Sequence, residues 1–158
     1  MGNLDGKQVI QRYTNWLHDY SKTDCHNDVW RIELPFMNRR RTHFQVFVEK
    51  TESGLMISDY GETIGDLRFS GFDIDTETRR RKLDGLLRST SIELIGKGEL
   101  RVYTSEEELP DYLNELIHCM IAIDLMIYTA PHTVAQLYEE DTRAARESEK
   151  KPVATTPS

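Results

Sequence analysis

A chain of 158 residues with 27 acidic and 20 basic side chains, net charge −7, suits one domain and is too acidic to coat DNA or RNA nonspecifically. No apolar run approaches the roughly 20 residues that a membrane-spanning helix needs, and the opening MGNLDGKQVIQRY lacks the apolar stretch of a secretory signal. The two cysteines, Cys25 and Cys119, are therefore expected to be reduced thiols of a cytoplasmic protein.

Leu4, Val9, Ile10, Tyr13, Trp16, Leu17 and Tyr20 recur at near-helical spacing. They predict an amphipathic helix, capped by Asn3 or Asp5, with its apolar face laid on the core. SKTDCHND then reads as a polar loop. VWRIELPF and HFQVFVEKTE alternate apolar and polar residues and are joined by MNRRRT. Trp30, Ile32, Leu34 and Phe36 share one face of the first strand, and Phe44, Val46 and Val48 one face of the second. Pro35 cannot donate a ladder hydrogen bond, which places it at a sheet edge or a strand end. A turn at Glu52–Gly54 leads into a third strand, Leu55–Ser58, completing an antiparallel meander.

Two short helices follow. Thr63 with Asp66 resembles a capping box in acidic form and opens a helix through Phe69; SGFD breaks it, and Thr76 caps a second helix that turns Leu83, Leu86 and Leu87 inward. SIELIGKGELRVYTS reads as a hairpin turning at Gly96-Lys97-Gly98. Residues 106–130 form the longest predicted helix, with Leu109, Leu113, Leu116, Met120, Ile123 and Ile127 at three- and four-residue steps. The expected fold class is α+β: an antiparallel sheet of about five strands packed against an N-terminal and a long C-terminal helix, with two short helices between hairpins. The domain spans residues 1–138, and residues 139–158 form a charged tail expected to be disordered.

Asp59-Tyr60-Gly61-Glu62 stands where the strand pattern gives way to a helix. Carboxylates at a strand end can hold a metal or activate water. Alternatively, Asp59 accepts backbone N–H bonds in the turn while Gly61 supplies a positive φ. The restriction-nuclease pattern of a later strand bearing an acid, any residue and then lysine is absent, since Glu93 and Lys97 are four apart. Arg39-Arg40-Arg41 sits at a predicted hairpin tip, as a solvated turn or as a contact for nucleic acid. Arg79-Arg80-Arg81-Lys82 puts cations in the first turns of a helix, against its dipole. Acidic neighbours Asp73, Asp75 and Glu77 can offset them, or the guanidinium groups and the helix end can form an anion site. Asp124 falls on the apolar stripe of the last helix and needs a partner, for which Arg31 and Arg101 are candidates. Cys25-His26 and His118-Cys119 lack zinc-knuckle spacing, and no GxSxG, phosphate-binding glycine loop or HExxH occurs.

From Ile32 to Ala130 the order of features resembles a bacterial and phage family described as domain of unknown function 1828. The matching pieces are Leu34-Pro35-Phe36, LMISDYGETIGDLRFSGFDI, RRRKLDGLLRS, the GEL of the second hairpin and the apolar last helix. Members commonly carry Asp-Asp-Gly where this chain has Asp59-Tyr60-Gly61, so the second acid of a metal site is replaced here by Tyr60. The resemblance implies a small intracellular prokaryotic or phage protein, often from mobile DNA, and no particular activity. Together these readings lead to the expectation of a non-enzymatic binding or regulatory protein, a phage or mobile-element accessory factor of the anti-defence type that acts on a host macromolecule. It would work without a cofactor, in the bacterial cytoplasm or, if phage-encoded, in that of the host. The expected contact surface is Asp59, Tyr60 and Glu62 with Arg79, Arg80 and Arg81, facing a protein partner. Two alternatives remain: a metal-dependent phosphodiester hydrolase using Asp59 and Glu62, and nucleic-acid binding through Arg39, Arg40 and Arg41. Self-association is left open.

Overall fold

The apolar–polar alternation becomes an antiparallel sheet with helices on one face. In chain order the elements are α1 (Gly6–Tyr20), β1 (Lys22–His26), β2 (Val29–Met37), β3 (His43–Lys50), β4 (Leu55–Ser58), α2 (Glu62–Phe69), α3 (Glu77–Arg88), β5 (Glu93–Ile95), β6 (Glu99–Thr104), α4 (Leu109–Asp124) and the short α5 (Met126–Thr129). This is a computed structural model, and it describes residues 2–129 and 142–149. The strands lie in the order β1-β2-β3-β4-β6-β5, each pair antiparallel.

Alternate residues of the central strands, Phe44, Val46 and Val48 of β3, Leu55 and Ile57 of β4, Leu100 and Val102 of β6, are buried on one face. Ile64 and Leu67 of α2, Leu83 and Leu87 of α3 and Leu116, Met120 and Ile123 of α4 close over them in a single core. Each of these aliphatic side chains contributes roughly 1.5–3 kcal/mol by leaving water. Gly98 is needed in the β5–β6 turn: its φ is +140°, and a Cβ there would stand 2.8 Å from Cγ2 of Ile64. The hairpin thus packs directly on α2.

The α+β class and the long C-terminal helix are as expected, and five details differ. The sheet has six strands, because SKTDCHND contributes β1. Every β1 residue is exposed, so no apolar period marks the strand; it forms because Asn27 and Asp28, both at positive φ, close a two-residue hairpin onto β2. Helix α1 does not lie on the core. Its cap is Asp5, in a reciprocal box with Gln8, but it buries no residue and packs beside β2, leaving Val9, Ile10, Tyr13, Trp16 and Tyr20 exposed. The core face is already occupied by α2, α3 and α4. Pro35 lies inside β2, past the end of β1 pairing and within the irregular stretch between Glu33 and Met37 where β3 pairing is interrupted, so its missing N–H breaks no ladder. The last helix ends at Asp124, and α5 resumes after Leu125. Residues 142–149 of the expected disordered tail are helical; residues 139–141 and 150–158 lie outside the described part.

Candidate binding site

The β4–α2 corner is built on Asp59. Its backbone N–H donates to the Leu100 carbonyl (3.1 Å), and its own carbonyl accepts from Glu62 N–H (3.2 Å). Carboxylate Oδ1 accepts from the N–H groups of Gly61 (2.8 Å) and Leu100 (2.9 Å), and Oδ2 from that of Thr63 (3.1 Å). Helix starts leave such N–H groups without intrahelical partners, and a carboxylate there also meets the positive end of the helix dipole. Gly61, at φ +78°, is the helix N-cap and has no side chain to offer, so Asp59 caps from two residues upstream. This replaces the expected Thr63–Asp66 box. Asp59 is fully buried. Burial raises its pKa, against the opposing pull of the backbone donors from Leu100, Gly61 and Thr63. Asp59 is therefore a structural corner residue and does not belong to an exposed surface.

Tyr60 projects from that corner. Its φ of +53° is a left-handed conformation that costs a non-glycine residue roughly 1–2 kcal/mol. It is 44% exposed, and its ring stacks on Phe47 at a centroid distance of 4.1 Å and an interplanar angle of 8°. Its N–H donates to Ser58 Oγ (2.9 Å), whose hydroxyl donates to Glu99 Oε1 (2.7 Å). Partial burial, then the negative charge of Glu49 and a hydrogen bond to its carboxylate, raise the phenol pKa, so the hydroxyl is already directed at Glu49. A groove of about 570 Å³ runs from the Phe47–Tyr60 stack to the β1–β2 hairpin, where Arg31 holds Asp24 through two hydrogen bonds (3.1 and 2.7 Å).

Glu62, in the first turn of α2, is exposed, and its carboxylate has no hydrogen-bond or salt-bridge partner among the described residues. Desolvation followed by the nearby charge of Asp59 raises its pKa, while Arg31 pulls the other way. The corner therefore presents an exposed aromatic ring and an unpaired carboxylate.

Of the expected arginines, one is buried and the other two are paired with carboxylates. Arg79 is 3% exposed; its guanidinium lies 4.1 Å from the Phe72 ring centroid and donates to the Asp73 carbonyl (2.9 Å). It is a packing residue. Arg80 pairs with Asp75 (3.3 Å) and Arg81 with Glu77 (2.7 Å), the local offset that the acidic neighbours made available. The hairpin-tip triplet is also committed. Arg39 is inserted between α2 and α4, where it donates to Asp66 Oδ2 (3.0 Å), the Asp66 carbonyl (3.2 Å), Ser70 Oγ (2.6 Å) and Asp124 Oδ1. Arg40 pairs with Asp66 (2.6 Å) and covers the Phe69 ring. Only Arg41 of the three remains at the surface without an ion pair among the described residues. Asp124 thus finds Arg39, not Arg31 or Arg101, which hold Asp24 and Glu99.

Cys25 is exposed on an edge strand and Cys119 buried in α4, and both are free thiols. Among the described residues no group of three His, Cys, Asp or Glu side chains could hold a metal ion. Phe47 was not singled out from the sequence. The available signal was its phase: it falls between Val46 and Val48, on the opposite face of β3.

One family model, described as Domain of unknown function DUF1828, matches residues 34–123, a span that holds β3, β4, the corner, α2, α3 and nearly all of α4. No curated protein and no solved structure matches the chain.

Proposed function

The chain belongs to the DUF1828 family, and we propose that it acts by binding, with Tyr60 at the centre of a surface that contacts a protein partner. The observation that carries this reading is the presentation of Tyr60. A bulky ring is held at positive φ and left half in solvent, over a carboxylate whose every role is to fix the turn beneath it. Strained backbone at an exposed aromatic is a feature of contact and switch regions, and tyrosine is among the residues that dominate binding energy at interfaces. Phe47 extends the platform and Glu62 adds charge. In this reading the partner is a host macromolecule met in the cytoplasm, and the chain is an accessory factor of a phage or mobile element; the family resemblance supports that part.

The hydrolase alternative needs Asp59 as an open ligand, whereas both its oxygens are engaged by backbone donors. The nucleic-acid alternative needs a free basic triplet, and Arg39 and Arg40 are tied to carboxylates. Affinity capture from the native cell lysate tests the proposal. Asparagine tolerates left-handed backbone, so Tyr60→Asn removes the ring at little structural cost. It is expected to keep the wild-type melting temperature within a few degrees and to lose at least about tenfold in partner recovery. Arg81→Ala, tied only to its own helix, is expected to recover the partner normally. Full recovery by a folded Tyr60→Asn variant would overturn the proposal.

A further inference from the structure

A second concave feature lies on the helical side of the corner; it shares Glu62 with the Tyr60 surface but is lined by neither Tyr60 nor Phe47. A cleft of about 400 Å³ opens between the start of β3, helix α2 and the end of α4, a size that suits one small ligand or one long side chain. Its apolar walls come from Phe44, Met120 and Phe69, the last with its ring 78% exposed at the rim.

The polar groups in the cleft have a definite polarity. His43 Nδ1 lies 2.8 Å from the Leu34 carbonyl. A carbonyl only accepts, so Nδ1 carries a proton, and in the tautomer with that single proton Nε2 is an acceptor. Asp66 and Asp124 line the cleft, but Arg39 and Arg40 already neutralise them: two carboxylates face two guanidinium groups. Glu62 is the remaining lining carboxylate and has no partner among the described residues. Gln45 adds an amide that likewise makes no side-chain hydrogen bond there. The net field is that of one uncompensated negative charge, beside an imidazole nitrogen and an amide that can donate or accept, above an apolar floor. An anion would be repelled by it, and a purely apolar guest would strand Gln45 and His43 without water.

Gly65 of α2 completes the arrangement. It lines the cleft, and a Cβ built on it meets nothing within 4 Å. Glycine inside a helix is less stable than alanine, so the sequence gives up helix stability at the position where a side chain would narrow the opening.

We propose that this cleft binds an organic cation, a guanidinium or primary ammonium on a short apolar stem, with Glu62 as its counterion. The stem lies against Phe44, Phe69 and Met120, and the cationic N–H groups donate to Glu62 and to His43 Nε2. The same chemistry is offered by a free small amine and by a basic side chain of a bound protein.

Titration of the full chain with n-butylguanidinium, followed by amide chemical shifts in NMR, tests this directly, with N-butylurea as the neutral isostere. The expected result is saturable shifts at Gly65, Glu62 and the Gln45 side chain. Butylurea is expected to bind about tenfold more weakly, the order of one charge-assisted hydrogen bond. Glu62→Gln should weaken butylguanidinium by a similar factor and leave butylurea unchanged, while Gly65→Leu should abolish both sets of shifts. N-acetylarginine methylamide separates the sources: binding as tight as butylguanidinium identifies a protein side chain, and exclusion identifies a free cation. Equal binding of the urea, or butylguanidinium shifts unchanged in a folded Glu62→Gln variant, would overturn the proposal. So would the lack of any saturable shift at tens of millimolar. None of these outcomes depends on Tyr60, so failure here leaves the partner surface standing, and the converse holds.

Discussion

Replacing Arg39 by alanine is expected to destabilise the protein by about 3–5 kcal/mol, the cost of removing one partner from a buried ion pair. For a domain of this size that corresponds to a fall in melting temperature of roughly 10–15 °C. The Arg39 and Asp124 side chains are each only 5% exposed, and that of Asp66 is 19% exposed. One guanidinium therefore ties the β2–β3 loop to α2 and to the end of α4, and the Arg39 backbone N–H adds a fifth hydrogen bond, to Asp124 Oδ2 (3.0 Å). Alanine would leave Asp124, 3% exposed, with that single N–H donor and only water from the adjoining cleft to replace the guanidinium. Lysine is expected to recover only part of the loss, because it is a point charge and cannot reach Asp66, Ser70 and Asp124 together through a planar fork. Paired replacement by Arg39→Met and Asp124→Leu removes both charges at similar volume, and should be markedly more stable than Arg39→Ala. Urea denaturation of the three variants measures this. Similar midpoints for wild type and Arg39→Ala would show that the pair is not buried as described.

Asp59→Ala is expected to cost about as much by a different route. Three backbone N–H groups, of Gly61, Thr63 and Leu100, lose their acceptor at once. Each buried donor left without a partner costs roughly 1–3 kcal/mol, and water can recover some of the loss, so about 3–5 kcal/mol is expected. Asp59→Asn should fall between alanine and wild type. Its carbonyl can replace Oδ1 toward Gly61 and Leu100, but its NH₂ group would face the Thr63 N–H, donor against donor. Amide hydrogen exchange localises the effect: in Asp59→Ala the N–H groups of Thr63 and Leu100 should lose protection before those of β3. Unchanged protection at Thr63 would remove Asp59 from the role of helix cap. The consequence for experiments is practical, since Asp59→Ala tests folding and cannot serve as a surface variant.

The parts of the fold that were legible in the sequence are those governed by local chemistry. The alternation through Phe44, Val46 and Val48, the Thr76 cap of α3 and the glycine turn of the second hairpin all reappear where expected. At the corner, the strand exit, the positive φ of Gly61 and the backbone-accepting Asp59 were available as one of two readings. Hidden features depended on distance in the chain or on competition for space. Asp124 visibly required a partner, yet Arg39 lies 85 positions away in a loop whose charge suggested exposure. Arg79 looked solvent-facing by residue type, but the ring of Phe72 gives its guanidinium an apolar cover. Helix α1 has the amphipathic pattern of a core helix, and pattern alone cannot say that three other helices take the core first. Strand β1 carries no pattern, because both its faces are wet.

The proposed binding role turns on Tyr60 as the point of contact. The direct measurement is site-specific photo-crosslinking in the native cell, with p-benzoylphenylalanine at position 60 in one strain and at position 81 in another. A discrete crosslinked partner is expected from position 60, lost when the same cells are not irradiated, and none from position 81. Crosslinking from position 81 alone, or none from position 60 in a chain that folds, would contradict it.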